Sequence, residues 1–167
     1  MAPVVALALA GCATAYKVSD AGGPQAQVVF VEAVEKAGLG EATLQTLFVS
    51  ETQACEDARR AFGLSWIDPN SKTTRVPAER PVTLFAESTY LTLRINAGLI
   101  QSVPLGCYAS ATFTPRAGRR YRVEHRAPRS LTRCQLVVVD EATGARPADL
   151  RIDPAATCRK ARTWNRS

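Results

Sequence analysis

Hydrophobic and polar residues alternate with a period of two along most of the chain from Gln27 onward. In a strand successive side chains point to opposite faces, so such a chain can bury one face of each segment only by laying it against another sheet. Gln27–Ala33 and Leu44–Val49 are β-branched and aromatic runs bounded by breakers such as Gly38-Leu39-Gly40 and read as strands, the first with a helical alternative because its end overlaps Glu32-Ala33-Val34-Glu35-Lys36-Ala37. Tyr90–Ile95 places Leu91, Leu93 and Ile95 on one side and Tyr90, Thr92 and Arg94 on the other. Cys107–Phe113 and Tyr121–Arg126 alternate on either side of Pro115-Arg116-Ala117-Gly118, which reads as a hairpin turning near Gly118. Cys134–Asp140 is apolar on both faces and runs into Glu141-Ala142-Thr143-Gly144, a turn closed by a left-handed Gly, before a final short strand near Pro147–Ile152. Pro77 and Pro81 each remove a ladder donor, which suits an edge strand or the start of a strand.

One helix interrupts this pattern. Ser50 and Gln53 have the spacing of a capping box, Ala54, Cys55, Ala58, Ala61 and Phe62 share a helical face, and Gly63 stops the run. The expectation is a mainly β chain, an antiparallel β-sandwich of immunoglobulin-like or transthyretin-like type, with one short α-helix near residues 51–62. A parallel α/β sheet would need a helix after nearly every strand. At 167 residues the chain supports one domain, placed at residues 27–153, and 46% hydrophobic content excludes a disordered chain. No apolar run is long enough to cross a bilayer as a helix.

The first residues carry a different signal. Pro3–Ala10 is apolar and runs into Leu9-Ala10-Gly11-Cys12. This resembles the signal of bacterial lipoproteins, whose lipobox is a Leu, two small residues and a Cys. The chain departs from that pattern in holding no charged side chain between Met1 and Gly11. The resemblance implies a signal peptide at 1–11 and palmitate-bearing lipidation at Cys12. It also implies a membrane anchor through the N-terminal lipid, and a location at the outer membrane facing the periplasm, because Ala13 rather than Asp follows the Cys. Residues 12–26, broken by Gly22-Gly23-Pro24, read as a flexible tether. The stretch Val76–Gly144 is also similar to small β-sandwich modules of envelope lipoproteins. Its shared positions are Pro77-Ala78-x-x-Pro81-Val82-x-Leu84, Phe113-x-Pro115-x-x-Gly118-x-x-Tyr121 and Cys134-x-Leu136-x-Val138. These are turn and core types and say little about chemistry.

Five cysteines occur, and setting Cys12 aside leaves Cys55, Cys107, Cys134 and Cys158. An even number in a chain sent to an oxidising compartment predicts two disulfides. Of the three pairings, Cys55 with Cys107 and Cys134 with Cys158 is preferred, since the second would pin the Arg-rich tail to a strand. No Cys-x-x-Cys spacing exists and His125 is the sole His, so no metal and no cofactor are expected.

Catalytic motifs are missing as well. There is no Gly-x-Ser-x-Gly, His-Glu-x-x-His or phosphate-binding Gly-x-x-x-x-Gly-Lys pattern. His125 shares its strand face with Tyr121 and Val123, as a buried, satisfied imidazole would. Glu56-Asp57 and Asp140-Glu141 read as solvated and turn carboxylates. No enzyme is expected; a cleft in which His125 met a Ser or a carboxylate would argue otherwise.

Charge is unevenly placed. Residues 116–167 hold thirteen Lys and Arg against five Asp and Glu, a net of +8, while residues 1–115 hold eight against ten, a net of −2; together these give +6. Arg120, Arg122 and Arg126 project opposite Tyr121 and Val123 with Glu124 between them, a row suited to an anionic partner. The same row would also keep an exposed strand face soluble. Nucleic acid is not expected at a periplasmic anchor; lipopolysaccharide phosphates, anionic phospholipid, peptidoglycan carboxylates or an acidic periplasmic protein are. The basic tail at 154–167, with Trp164 among its cations, suits a membrane surface. The leading expectation is a non-enzymatic interaction or structural module of the envelope. The alternatives are an inhibitor or immunity protein against a cell-wall hydrolase, or an accessory lipoprotein of a secretion system.

Overall fold

Parity along the strands determines which residues form the core. In the computed structural model, residues 15–33, 41–52, 55, 57–65, 71–96, 99–127 and 134–153 are described. Nine strands lie among them: β1 Gln25–Val31, β2 Glu41–Ser50, β3 Arg59–Ser65, β4 Ser71–Pro77, β5 Val82–Asn96, β6 Leu99–Phe113, β7 Arg120–Arg126, β8 Gln135–Asp140 and β9 Arg151–Asp153. They make a four-stranded sheet in the order β4-β1-β7-β8 and a five-stranded sheet in the order β3-β2-β5-β6-β9. The chain is thus a mainly β sandwich. Its pairing is antiparallel except between β1 and β7, which run parallel.

Alternate residues of both sheets meet in one core. Val28 and Phe30 of β1, Tyr121 and Val123 of β7, and Leu136 and Val138 of β8 face Leu47 and Val49 of β2, Leu84 and Ala86 of β5, and Ala109, Ala111 and Phe113 of β6. The sheet twist and this interdigitation are what a sandwich needs to bury both inner faces. Pro77 closes β4, an edge strand, and Pro81 stands just ahead of β5, so neither removes a ladder bond from a central strand. Gly144, at φ 68°, closes the turn after β8 by donating to the Asp140 carbonyl oxygen at 2.8 Å.

Three expectations need correcting. The first is the hairpin across Gly118. β6 and β7 belong to opposite sheets, so residues 114–119 cross from one sheet to the other. Both strands alternate, but each buries its own face against the other, which requires a corner rather than a ladder between them. That corner is held by named bonds. Tyr121 Oη accepts the Arg116 amide at 2.9 Å, the tyrosine-corner arrangement of Greek-key sandwiches. Glu79, held at φ 59°, donates its amide to the Pro115 carbonyl oxygen at 2.8 Å and accepts the Ala117 amide on Oε1 at 2.9 Å.

The second correction is the helix near 51–62. Residues 59–65 are β3, paired with β2, and the described residues between Glu51 and Ala58 form bends and a turn. Asp57 organises this turn instead. Its carboxylate accepts the Ser50 hydroxyl, the Glu51 amide at 3.0 Å and the Thr52 hydroxyl at 2.7 Å. Partial burial alone would raise the Asp57 pKa; these donors outweigh it and hold the group below its usual value. The loop also has something to cover. Phe48, Phe85 and Tyr108 form an apolar row on the outer side of the five-stranded sheet, and Cys55 and Ala58 pack on it.

The third correction concerns residues 12–26. β1 begins at Gln25, and the described part of the segment is docked rather than strung out. Tyr16 is buried in the core, its amide donates to the Arg60 carbonyl oxygen at 2.8 Å, and its hydroxyl donates to Glu51 Oε1 at 3.1 Å. Burial first, and then the Glu51 charge, raise the Tyr16 pKa. Glu51 also accepts the Ser19 amide at 2.9 Å and pairs with Arg80 at 2.5 Å. The signal segment 1–11, Cys12, Cys158 and the tail 154–167 lie outside the described residues.

Candidate functional site

The inner faces are apolar over most of their length and turn polar toward one end. Continuing the inward parity from Leu47 and Val49 places Gln45 inside, and the same rule places Ser88 on β5, Cys107 on β6 and His125 on β7. Gln45 and Ser88 stand directly opposite each other in the β2–β5 register. Gln45 Nε2 donates to Ser88 Oγ at 2.9 Å and to the His125 carbonyl oxygen at 2.7 Å, while its Oε1 accepts the Ala33 amide at 3.3 Å. Ser88 Oγ lies 2.8 Å from His125 Nδ1. This network ties both sheets together through three buried polar side chains.

Cys107 and Cys134 are joined by a disulfide with Cα atoms 6.0 Å apart. Cys55 is disulfide-bonded too. The preferred pairing of Cys55 with Cys107 and Cys134 with Cys158 is therefore wrong, and geometry says why. Cys107 points into the sandwich from β6, whereas Cys55 lies on the outer side of the same sheet against Phe85. The sheet itself separates them. The Cys107–Cys134 bond instead joins β6 of one sheet to the residue preceding β8 of the other.

His125 is inward and fully buried, as its strand position implies, yet it is not fully satisfied. Nδ1 has Ser88, but Nε2 has no partner, the one such buried side-chain atom among the described residues. Burial holds its pKa down at about 4, so the ring stays neutral well below its ordinary range. This makes folding pH-dependent. Above about 6.5 both folded and unfolded rings are neutral; between about 6.5 and about 4 the unfolded ring protonates and the folded one does not, so stability falls with falling pH. From pH 7.5 to pH 5 the loss from this group is about 2 kcal/mol. Urea midpoints at the two pH values should show that difference, and H125Q should lack it; equal slopes in the two proteins would refute the assignment.

The Ser88–His125 contact raises the question of a catalytic pair. Ser88 is 1% exposed and His125 0%, and the Ser88 hydroxyl already accepts from Gln45. The pair sits in the core beneath the sheet, with no acid orienting the imidazole from Nε2.

The arginine row lies on the opposite side of β7. Arg120, Arg122 and Arg126 are exposed, and their side chains keep about half of their surface in solvent. All three meet carboxylates. Glu124 lies between Arg122 at 3.4 Å and Arg126 at 2.7 Å, and Arg120 pairs with Glu141 at 2.8 Å. Strand register adds a cation that sequence reading missed: Gln27 of β1 lies between Arg120 of β7 and Arg75 of β4, and Arg75 makes no ion pair among the described residues. The face therefore carries four guanidinium groups, three on β7 and one on β4 with β1 between them, against Glu124 and Glu141. Its net charge is smaller than the row alone suggests. Comparison with protein-family models, with curated proteins and with solved structures returns no match.

Proposed function

We propose that this chain is a non-enzymatic envelope lipoprotein, anchored by acylated Cys12 at the periplasmic face of the outer membrane, whose sandwich contacts an anionic envelope component through the outer face of β7. The observation that carries the reading is the placement of Arg120, Arg122 and Arg126 on one exposed sheet face, extended by Arg75. Guanidinium forks match phosphate and carboxylate oxygens, and arginines already held by Glu124 and Glu141 are ordered before a ligand arrives. Two further features support the setting. The disulfides suit an oxidising compartment, and the lipobox offers the anchor. Burial of Ser88 and His125 away from solvent supports a binding rather than a catalytic role.

The test uses full-length protein and vesicles of phosphatidylglycerol or of phosphatidylcholine. R120S/R122S/R126S is expected to bind the anionic vesicles roughly ten- to a hundredfold more weakly and with a flatter salt dependence, since each basic residue near such a surface contributes about 1 kcal/mol. Unchanged binding would make the row a solubility device. Intact mass after expression with the native N-terminus reads the anchor: the wild type should gain acyl chains, and C12S should not.

A further inference from the structure

The buried end of the core brings together three residues that no spacing in the sequence connects. A ring nitrogen of His125 and the sulfurs of Cys107 and Cys134 all lie within 4.8 Å of one another. Independently, His125 Nε2 is buried without a hydrogen-bond partner while Nδ1 is held by Ser88. A buried polar atom left unpaired costs free energy and calls for an explanation. In the oxidised protein the sulfurs are bonded to each other and offer little to a cation.

We infer that, once the Cys107–Cys134 disulfide is reduced, the two thiolates and His125 Nε2 form a site for one thiophilic d10 cation, zinc(II) or copper(I). The inference does not depend on the anchor or on the arginine face. Reduction needs a two-electron donor. A dithiol supplies two electrons and two protons, the sulfur–sulfur bond breaks to two thiols, and the dithiol leaves as a disulfide; a phosphine does the same with one water, which gives the two protons and leaves as the oxygen of the phosphine oxide. Binding of the cation then displaces both thiol protons to water.

The ligand set and its surroundings suit this. Thiolates and a neutral imidazole are the donors that soft and borderline cations select. Metal–sulfur bonds of about 2.3 Å and a metal–nitrogen bond of about 2.0 Å put tetrahedral ligand atoms about 3.5–3.8 Å apart; the His125 nitrogen then closes on the sulfurs by roughly 1 Å at most, while the sulfurs, released from a bond of about 2 Å, part by roughly 1.7 Å. Nε2 is the free nitrogen, and Ser88 holds the other, as an outer partner does for a ligating imidazole. Gln45 fixes Ser88 in turn. Cys107 is buried with Ala127 beside it, and Cys134 is half-buried. Three protein donors satisfy a trigonal copper(I) ion and leave zinc one further position.

The experiment reduces the full chain with a phosphine under argon and titrates zinc(II) or copper(I) against a chromophoric chelator, with cobalt(II) as a spectroscopic probe and circular dichroism recorded throughout. Reduced wild type is expected to take one equivalent, with a cobalt–thiolate charge-transfer band, and oxidised wild type none. C107A/C134A keeps Cys55, so its loss of the band separates this site from the other cysteines. H125Q keeps both thiolates and should bind at least tenfold more weakly. If the reduced chain unfolds, the cation must restore its β-sheet spectrum. Absence of binding or of that recovery, equal binding by C107A/C134A, or an unchanged affinity in H125Q would each overturn the site.

Discussion

F113A is expected to lose about 3–5 kcal/mol of unfolding free energy, the cost of emptying a large buried aromatic position. Phe113 is 1% exposed and is the last residue of β6, where the chain leaves the five-stranded sheet. Its ring meets Tyr121 of β7 edge-on, with centroids 5.0 Å apart and planes at 62°. Tyr121 in turn holds the corner through its bond from the Arg116 amide. Removing the Phe113 ring therefore strips packing from the residue that fixes the crossover as well as leaving a cavity. F48A makes a useful comparison, because Phe48 packs half-buried on the outer side of the sheet and its void can fill with solvent. Urea melts should rank F113A well below F48A, and a loss under about 1 kcal/mol for F113A would mean that this corner is not built as described.

The sandwich was legible in the sequence because its signal is local. Period-two alternation, Pro77 at an edge, Gly144 past β8 and His125 on the face of Tyr121 and Val123 each follow from a few neighbouring residues. What failed depended on residues far apart. Pro115-Arg116-Ala117-Gly118 has hairpin chemistry, but β1 enters beside β7 in parallel, and only that long-range pairing shows β6 and β7 to lie in different sheets. A capping box would have the Ser50 hydroxyl accept a backbone amide, whereas it donates to Asp57 in a loop that covers Phe85.

The buried polar end shows the same division. Gln45 beside Leu44 invites the reading that Leu44 is inside, whereas the phase set by Leu47 and Val49 buries Gln45 and leaves Leu44 39% exposed. That phase was available in the sequence; its consequence, a bond to Ser88 across the β2–β5 register, was not. Cysteine pairing was open for a related reason. Parity puts Cys107 inside, but nothing local says which side of the sheet Cys55 lies on.

Removing the disulfide with C107A/C134A is expected to cost about 3.5 kcal/mol, from the loop-closure entropy of a bridge spanning 27 residues. Two smaller effects push in opposite directions. Truncating the buried Cys107 leaves a small void and adds to the loss, while release of Ala127 and residue 134 from their packing against it restores some freedom in the folded state and offsets part of it. Neither rivals the gain in freedom of the unfolded chain, so the sign is fixed by the loop. The bridge also has a structural bias that a bond within one sheet would lack. It joins β6 to the residue before β8, and β8 is an edge strand held also by its ladder with β7 and the core contacts of Leu136 and Val138. Without it, amide exchange should rise first in β8 and at His125, and later in β5. A shift of the urea midpoint by roughly 1–3 M, with that order of exchange, is the expected result. Uniform exchange across both sheets would mean that the sandwich opens as one unit and that the bridge acts on the unfolded chain alone.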